Sequence, residues 1–269
     1  MENTIEIHDL GFVKLLDVMG DDQEVENAAR ISYGEGTRKV SQTRNLIRYL
    51  MRHKHTSPFE MCEVKFHLKL PIFVMRQLVR HRTANLNEYS GRYSVMSNEY
   101  YLPQADYLQK QSTTNNQGRN EVLPNKGSLH FEFNRVYDTA QITYENLLEE
   151  DLARELSRIV LPVANYTECI WKIDLHNFFH FIRLRSDSHA QREIRDYSDA
   201  MYELVKPKFP LCCEAFEDYV RDAVTFSKQE MELIKEAIWD GRGGLDTESE
   251  KLGKRETKEF LEKLEVKGE

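Results

Sequence analysis

Glycine and proline are scarce, at twelve and seven of 269 residues. A chain so poor in both is not collagen-like and is not dominated by linkers or loops. Positive charge is also in deficit. Lys and Arg number 37 against 45 Asp and Glu, a net charge of −8, whereas a protein whose main partner is DNA or RNA shows a basic excess. No stretch approaches the roughly 20 apolar residues of a membrane-spanning helix. The opening MENTIEIHDL has two glutamates and no apolar run, unlike a secretory signal. Cys62, Cys169, Cys212 and Cys213 form no C-x-x-C pair, so they read as reduced thiols in a cytoplasmic protein. G-x-G-x-x-G is missing, because Gly34-Glu35-Gly36 lacks the third glycine and the strand context. A Rossmann-type dinucleotide site is therefore not expected, and H-E-x-x-H is absent too.

What is present is enough for a core: 40% hydrophobic and 10% aromatic residues. At 64–70, Val64, Phe66, Leu68 and Leu70 alternate with Lys65, His67 and Lys69, which predicts a strand over 61–70 buried on one face. Further strands are expected at 4–8, 12–18 and 166–175. Pro71 suits the first turn of a helix through about Arg82. Helical stripes predict helices at 41–54, 128–149, 151–160, 188–205, 211–223 and 228–239. The polar run 109–127 and the Gly-rich 241–246 read as loops. The fold class that follows is α+β: a small, mainly antiparallel sheet with a helical layer. One compact domain is expected to span 1–223, with a charged helical extension over 224–269.

The chemistry concentrates between residues 76 and 94. Arg76, Arg80, His81, Arg82 and Arg92 crowd into a short window of an acidic protein. On one helix Arg76 and Arg80 would repel at i,i+4, and a bound anion would offset that. Ser90-Gly91-Arg92 adds a hydroxyl, a backbone open to close approach and a guanidinium. A phosphate site is one reading; a solvated basic face paired with carboxylates is the other.

Arg80-His81-Arg82, Asn87, Ser90 and Arg92-Tyr93 resemble the signature of the flavin-dependent thymidylate synthase family, with Asn85 where that family has Ser. HTSPFE at 55–60, RIVLP at 158–162 and LRSDSHAQ at 184–191 match in the right order. The resemblance covers about residues 11–220. It implies methylation of dUMP to dTMP, with methylenetetrahydrofolate as carbon donor and FAD reduced by NADPH as hydride source. It assigns Gln77, Leu78, Val79, Arg80, Glu88, Tyr89, Ser90, Gly91, Arg92, Arg158 and Arg185 to dUMP. Arg185 is expected to be catalytic, facing the uracil and favouring its enolate-like form. The sequence places it just before a helix capped by Asp187 or Ser188. FAD is expected at His55, Ser57, Arg80, His81, Arg82, Glu88, Asp174, His176, His180 and His189. Asp174 suits a ribose hydroxyl or an adenine amine better than a phosphate. The family forms homotetramers with active sites between subunits, and no metal is expected. The family needs no cysteine nucleophile, in keeping with the apolar settings of the four thiols.

Two other readings compete. His176 and His180, at i,i+4 with Asp187 and His189 nearby, could hold a metal in a nucleotide or phosphate-ester hydrolase. The basic island with Tyr89, Tyr93, Tyr100 and Tyr101 could contact a nucleic acid, against which the net charge argues.

Overall fold

The structure is a computed structural model and describes residues 3–31, 43–113, 118–239 and 254–264. Gly34-Glu35-Gly36, Ser41, the 241–246 loop and Leu252 lie outside the described residues. The chain divides into two compact units, residues 1–216 and 217–269.

The first unit is built on a five-stranded sheet, antiparallel throughout. Its strands are β1 (Thr4–Ile7), β2 (Gly11–Met19), β3 (Glu63–Pro71), β4 (Asn85–Glu88) and a long partner from Tyr166 to Asp174, in the order β1-β2-β3-(166–174)-β4. The alternation read in the sequence sets the faces. Val64, Phe66 and Leu68 stand opposite Ile173, Trp171 and Cys169, and all six are buried. On the other face Lys65 pairs with Asp17 at 3.0 Å, His67 with Glu168 at 2.7 Å and Lys172 with Glu63 at 2.7 Å. One dry face and one ion-paired face is the usual arrangement of an antiparallel sheet.

Helices cover the dry face. α1 (Asp22–Arg30), α2 (Thr43–Arg52), α3 (Ser57–Glu60) and α4 (Ile72–Leu78) come first in the chain. A two-stranded ribbon, β5 (Gln109–Gln111) and β6 (Arg119–Val122), precedes the long α5 (Lys126–Glu149) and the short α6 (Arg154–Ser157). The long sheet strand Tyr166–Asp174 is β7, followed by α7 (Leu175–Arg185), α8 (Arg192–Val205) and α9 (Pro210–Phe216). Phe66 stacks on Phe178 at 5.9 Å, and Trp171 tilts against Phe181 at 5.2 Å. Full burial of each such side chain contributes about 2–3 kcal/mol. This sheet–α7 seam is the centre of the core.

Several local expectations need correction. Pro71 is both the last residue of β3, in register with Tyr166, and the N-cap of α4, so the helix opens one residue later than expected. α4 stops at Leu78, so Arg76 sits on the helix and Arg80 in the turn after it. The expected 151–160 helix is α6 followed by a 3-10 turn at Arg158–Val160. α8 starts at Arg192, not 188, and α9 ends at Phe216 before a wide turn at Glu217–Arg221. The polar 109–127 run contains the β5–β6 ribbon, whose pairing comes from backbone hydrogen bonds that leave no apolar alternation. α1 and β4 are absent from the sequence-based assignment. α1 offers only Val25 and Ala29 as buried apolar side chains, and β4 is an edge strand of exposed residues.

In the second unit, Ser227 and Glu230 cap α10 (Lys228–Trp239) reciprocally: Glu230 N–H donates to Ser227 Oγ at 3.3 Å and Ser227 N–H to Glu230 Oε2 at 2.6 Å. Leu233 and Phe260, the latter on α11 (Lys254–Lys263), are buried together with Phe226, Ile234 and Leu264 packed around them. Lys263 Nζ donates to Glu230 Oε1 at 2.6 Å.

Candidate active site

The site begins where β3 hands over to α4. α4 follows β3 directly and carries Gln77, and the turn after it carries Arg80, His81 and Arg82. Arg185 is the last residue of α7 and does not precede a helix cap, as the sequence suggested. Asp187 instead accepts from the His189 N–H at 2.8 Å, and the α8 N-cap is Gln191. Arg185 Nε donates to His81 Nε2 at 3.0 Å. His81 is buried, and its ring meets Phe181 edge-on at 4.9 Å and His180 at 6.0 Å.

The charges explain the protonation state. Burial, the Arg185 guanidinium and His180 together pull the His81 pKa down to about 4. His81 is thus neutral at pH 7, with Nε2 as acceptor and the proton on Nδ1. Burial and then Arg80 lower the Arg185 pKa as well, which leaves it a cation, since the group starts above 12. Arg185 therefore has a neutral partner, not a carboxylate. Arg80 and Arg82 are exposed and have no carboxylate partner among the described residues. Uncompensated positive charge at one point of an acidic protein favours an anion.

A second cluster forms around Gly91. A Cβ there would sit 2.8 Å from Met96 Sδ and 3.1 Å from Arg158 Cδ, so glycine is what lets the 90–92 turn close on Arg158. The Arg92 N–H points at Ser90 Oγ at 3.4 Å, and Ser90 O accepts from the Tyr93 and Ser94 N–H groups. Arg92 pairs with Glu155 at 3.1 Å, both more than half exposed, an ion pair worth under about 1 kcal/mol that an incoming anion can replace. Tyr89 OH donates to Val95 O at 2.8 Å. Glu88 Oε1 accepts from Thr167 Oγ1 at 3.0 Å, tying β4 to β7.

His55 and Ser57 line a cavity of about 390 Å³ with Leu46, Tyr49, Pro58 and Met61. The His55 ring stacks on Tyr49 at 5.8 Å, a wall suited to a planar, partly polar group. Asp174 caps α7, accepting from the Asn177 N–H at 2.9 Å and Nδ2 at 2.7 Å. His176 is half-buried and His180 exposed on α7, while His189 is exposed and paired with Asp187 at 2.9 Å. Val79 is 40% exposed, but the Leu78 side chain is wholly in the core. No group of three or more His, Cys, Asp or Glu placed to hold a metal occurs among the described residues. All four cysteines are buried and none is in a disulfide. Burial pushes the Cys62 thiol up to about 11 and Cys169 up to about 12.

Sequence reasoning did not single out Gln191, Glu193 or Arg119, and named Tyr101 only as an aromatic beside the basic island. Gln77 Nε2 donates to Gln191 Oε1 at 2.6 Å, and Gln191 Nε2 donates to Glu193 Oε2 at 2.9 Å. Arg119 and Tyr101 close on the same carboxylate. Gln191 ends the LRSDSHAQ stretch, the one signal that could have marked it.

Residues 14–211 match the family described as "Thymidylate synthase complementing protein". The flavin-dependent thymidylate synthase of Ehrlichia ruminantium (strain Gardel) is 51% identical over 260 residues, covering 95% of this chain and 86% of its own length. That of Treponema denticola is 46% identical over 267 residues, covering 98% of each. The UMP/dUMP methylase PolB from Streptomyces cacaoi, solved with 5-Br dUMP, superposes with a TM-score of 0.74 at 32% identity, over 81% of this chain and 99% of that one. Family match, near-full-length relatives and superposition converge with the basic motif around His81: this chain belongs to the thymidylate synthase complementing protein family.

Proposed function

We propose that this chain is a flavin-dependent thymidylate synthase, methylating dUMP to dTMP with methylenetetrahydrofolate as carbon donor and NADPH as reductant. The observation that carries the reading is Arg185: a half-buried guanidinium held by a neutral histidine, with no carboxylate partner among the described residues. Such a cation stabilises negative charge developing on a uracil ring. Ser90, the Gly91 backbone, Arg92 and Arg158 supply donors for the nucleotide phosphate. Arg80, His81 and Arg82 suit a pyrophosphate, and the cavity at His55 and Ser57 suits a ring. FAD, when bound there and reduced by NADPH, supplies the hydride. Asp174, His176, His180, Glu88 and His189 complete the proposed flavin contacts.

The buried thiols, with raised pKa values, support a mechanism without an enzyme nucleophile. The assembly proposed is a cytoplasmic homotetramer with sites between subunits, binding neither nucleic acid nor membrane. Support comes from the apolar groove of about 650 Å³ along α5, lined by Leu129, Phe133 and Val136, the last two 37% and 49% exposed. Contiguous exposed apolar surface of this kind marks an interface.

The test is direct. Purified protein with FAD, dUMP, methylenetetrahydrofolate and NADPH is expected to yield dTMP and to oxidise NADPH faster with dUMP present. No flavin binding, or no dTMP from the flavin-loaded protein, overturns the reading.

A further inference from the structure

We propose that Glu193 is a positioning residue for the nucleotide, acting through Gln191 to turn the Gln77 carbonyl toward a donor on the ligand; this rests on the dUMP reading of Gln77. Glu193 is the second residue of α8 and only 2% exposed. Arg119, on the β6 strand, donates from Nη2 to both its oxygens at 3.1 and 3.0 Å, and Tyr101 OH donates to Oε1 at 3.0 Å. A carboxylate held this way offers acceptors only.

That fixes the direction of each bond beyond it. Gln191 must turn its NH2 group to Glu193, at 2.9 Å. Its carbonyl is thereby aimed the other way, where it accepts from Gln77 Nε2 at 2.6 Å. Gln77, with its NH2 group committed to Gln191, leaves its own Oε1 on the opposite side. Rotating either amide by half a turn would set two oxygens against each other at these distances and lose a hydrogen bond. A free glutamine presents either edge to a ligand at similar cost, whereas this one is pre-set as an acceptor for an N–H or O–H of the nucleotide. Pre-setting removes the ordering cost that binding would otherwise carry.

Three single variants and one double variant test the chain of bonds in the FAD-loaded enzyme, with dUMP affinity read by titration calorimetry. Gln77→Leu is expected to weaken dUMP binding roughly fivefold, the size of one lost hydrogen bond, and Glu193→Gln and Gln191→Leu by about two- to fivefold, the cost of ordering a side chain that is no longer pre-set. Flavin affinity should not move. The double variant Glu193→Gln with Gln77→Leu is expected to bind dUMP no worse than Gln77→Leu alone, because Glu193 acts only through Gln77. A purely structural Glu193 would instead weaken dUMP by the same factor in both backgrounds, and that result overturns the proposal. If Glu193→Gln fails to fold, the exposed Gln191→Leu combined with Gln77→Leu poses the same question. Wild-type enzyme that binds flavin but no dUMP would overturn the nucleotide reading of Gln77, and the positioning role with it.

Discussion

At the scale of single residues, His81 and Arg185 define each other. In the protein without ligands, His81 is expected to titrate near pH 4 by NMR, because burial, Arg185 and His180 oppose its cationic form. Its pKa in the fold lies below the ordinary value of 6.5, so between these limits the unfolded chain binds the proton more readily. The contribution of neutral His81 to stability is therefore full above about pH 6.5 and is lost as pH falls toward 4. Arg185→Met should move the midpoint upward, and an unchanged midpoint would refute the coupling. Arg185→Ala is expected to lower dTMP formation by at least ~100-fold, the scale of one lost transition-state donor. Cys→Ala changes at 62, 169, 212 and 213 should leave turnover intact in folded protein. A single Cys→Ala variant that folds but cannot turn over would refute the mechanism without a nucleophile.

At the scale of elements, helix ends make the sharpest expectations. Asp174 caps α7, so Asp174→Ala should cost about 1 kcal/mol of stability in a denaturant melt. Asp174→Asn retains a capping oxygen and should melt close to wild type. If Asp174 also touches FAD through its charge, both variants will weaken flavin binding, although only the alanine lowers stability. In the second unit, Phe260→Ala removes a buried aromatic from the Leu233 cluster, a loss of roughly 3–5 kcal/mol. Hydrogen exchange should then rise at α10 amides, while dUMP and FAD affinities stay unchanged.

At the scale of the whole molecule, the question is what covers α5. Phe133 and Val136 are 37% and 49% exposed on it and line the adjoining groove. Light scattering is expected to give a tetramer for the wild type and smaller species for Phe133→Glu with Val136→Glu, with activity falling in parallel. A fully active wild-type monomer would rule out sites shared between subunits.

The sequence by itself determined the sheet's buried face, because the alternation of Val64, Phe66, Leu68 and Leu70 with charged residues has one solution in water. It also marked the basic stretch from which the candidate site is built, since Arg80, His81, Arg82, Ser90 and Arg92 are local in the chain. Strand β4 and helix α1 were not legible, because an exposed edge strand carries no hydrophobic period and α1 has only Val25 and Ala29 to mark one. Only the tertiary structure decided that Arg185 ends a helix against a neutral His81, 104 residues away in the chain. Only it joined Gln77 to Gln191, Glu193 and Arg119. A hydrogen bond between residues so far apart leaves no periodic trace in a sequence; it exists because the packing of α4 and α7 on one sheet brings their ends together.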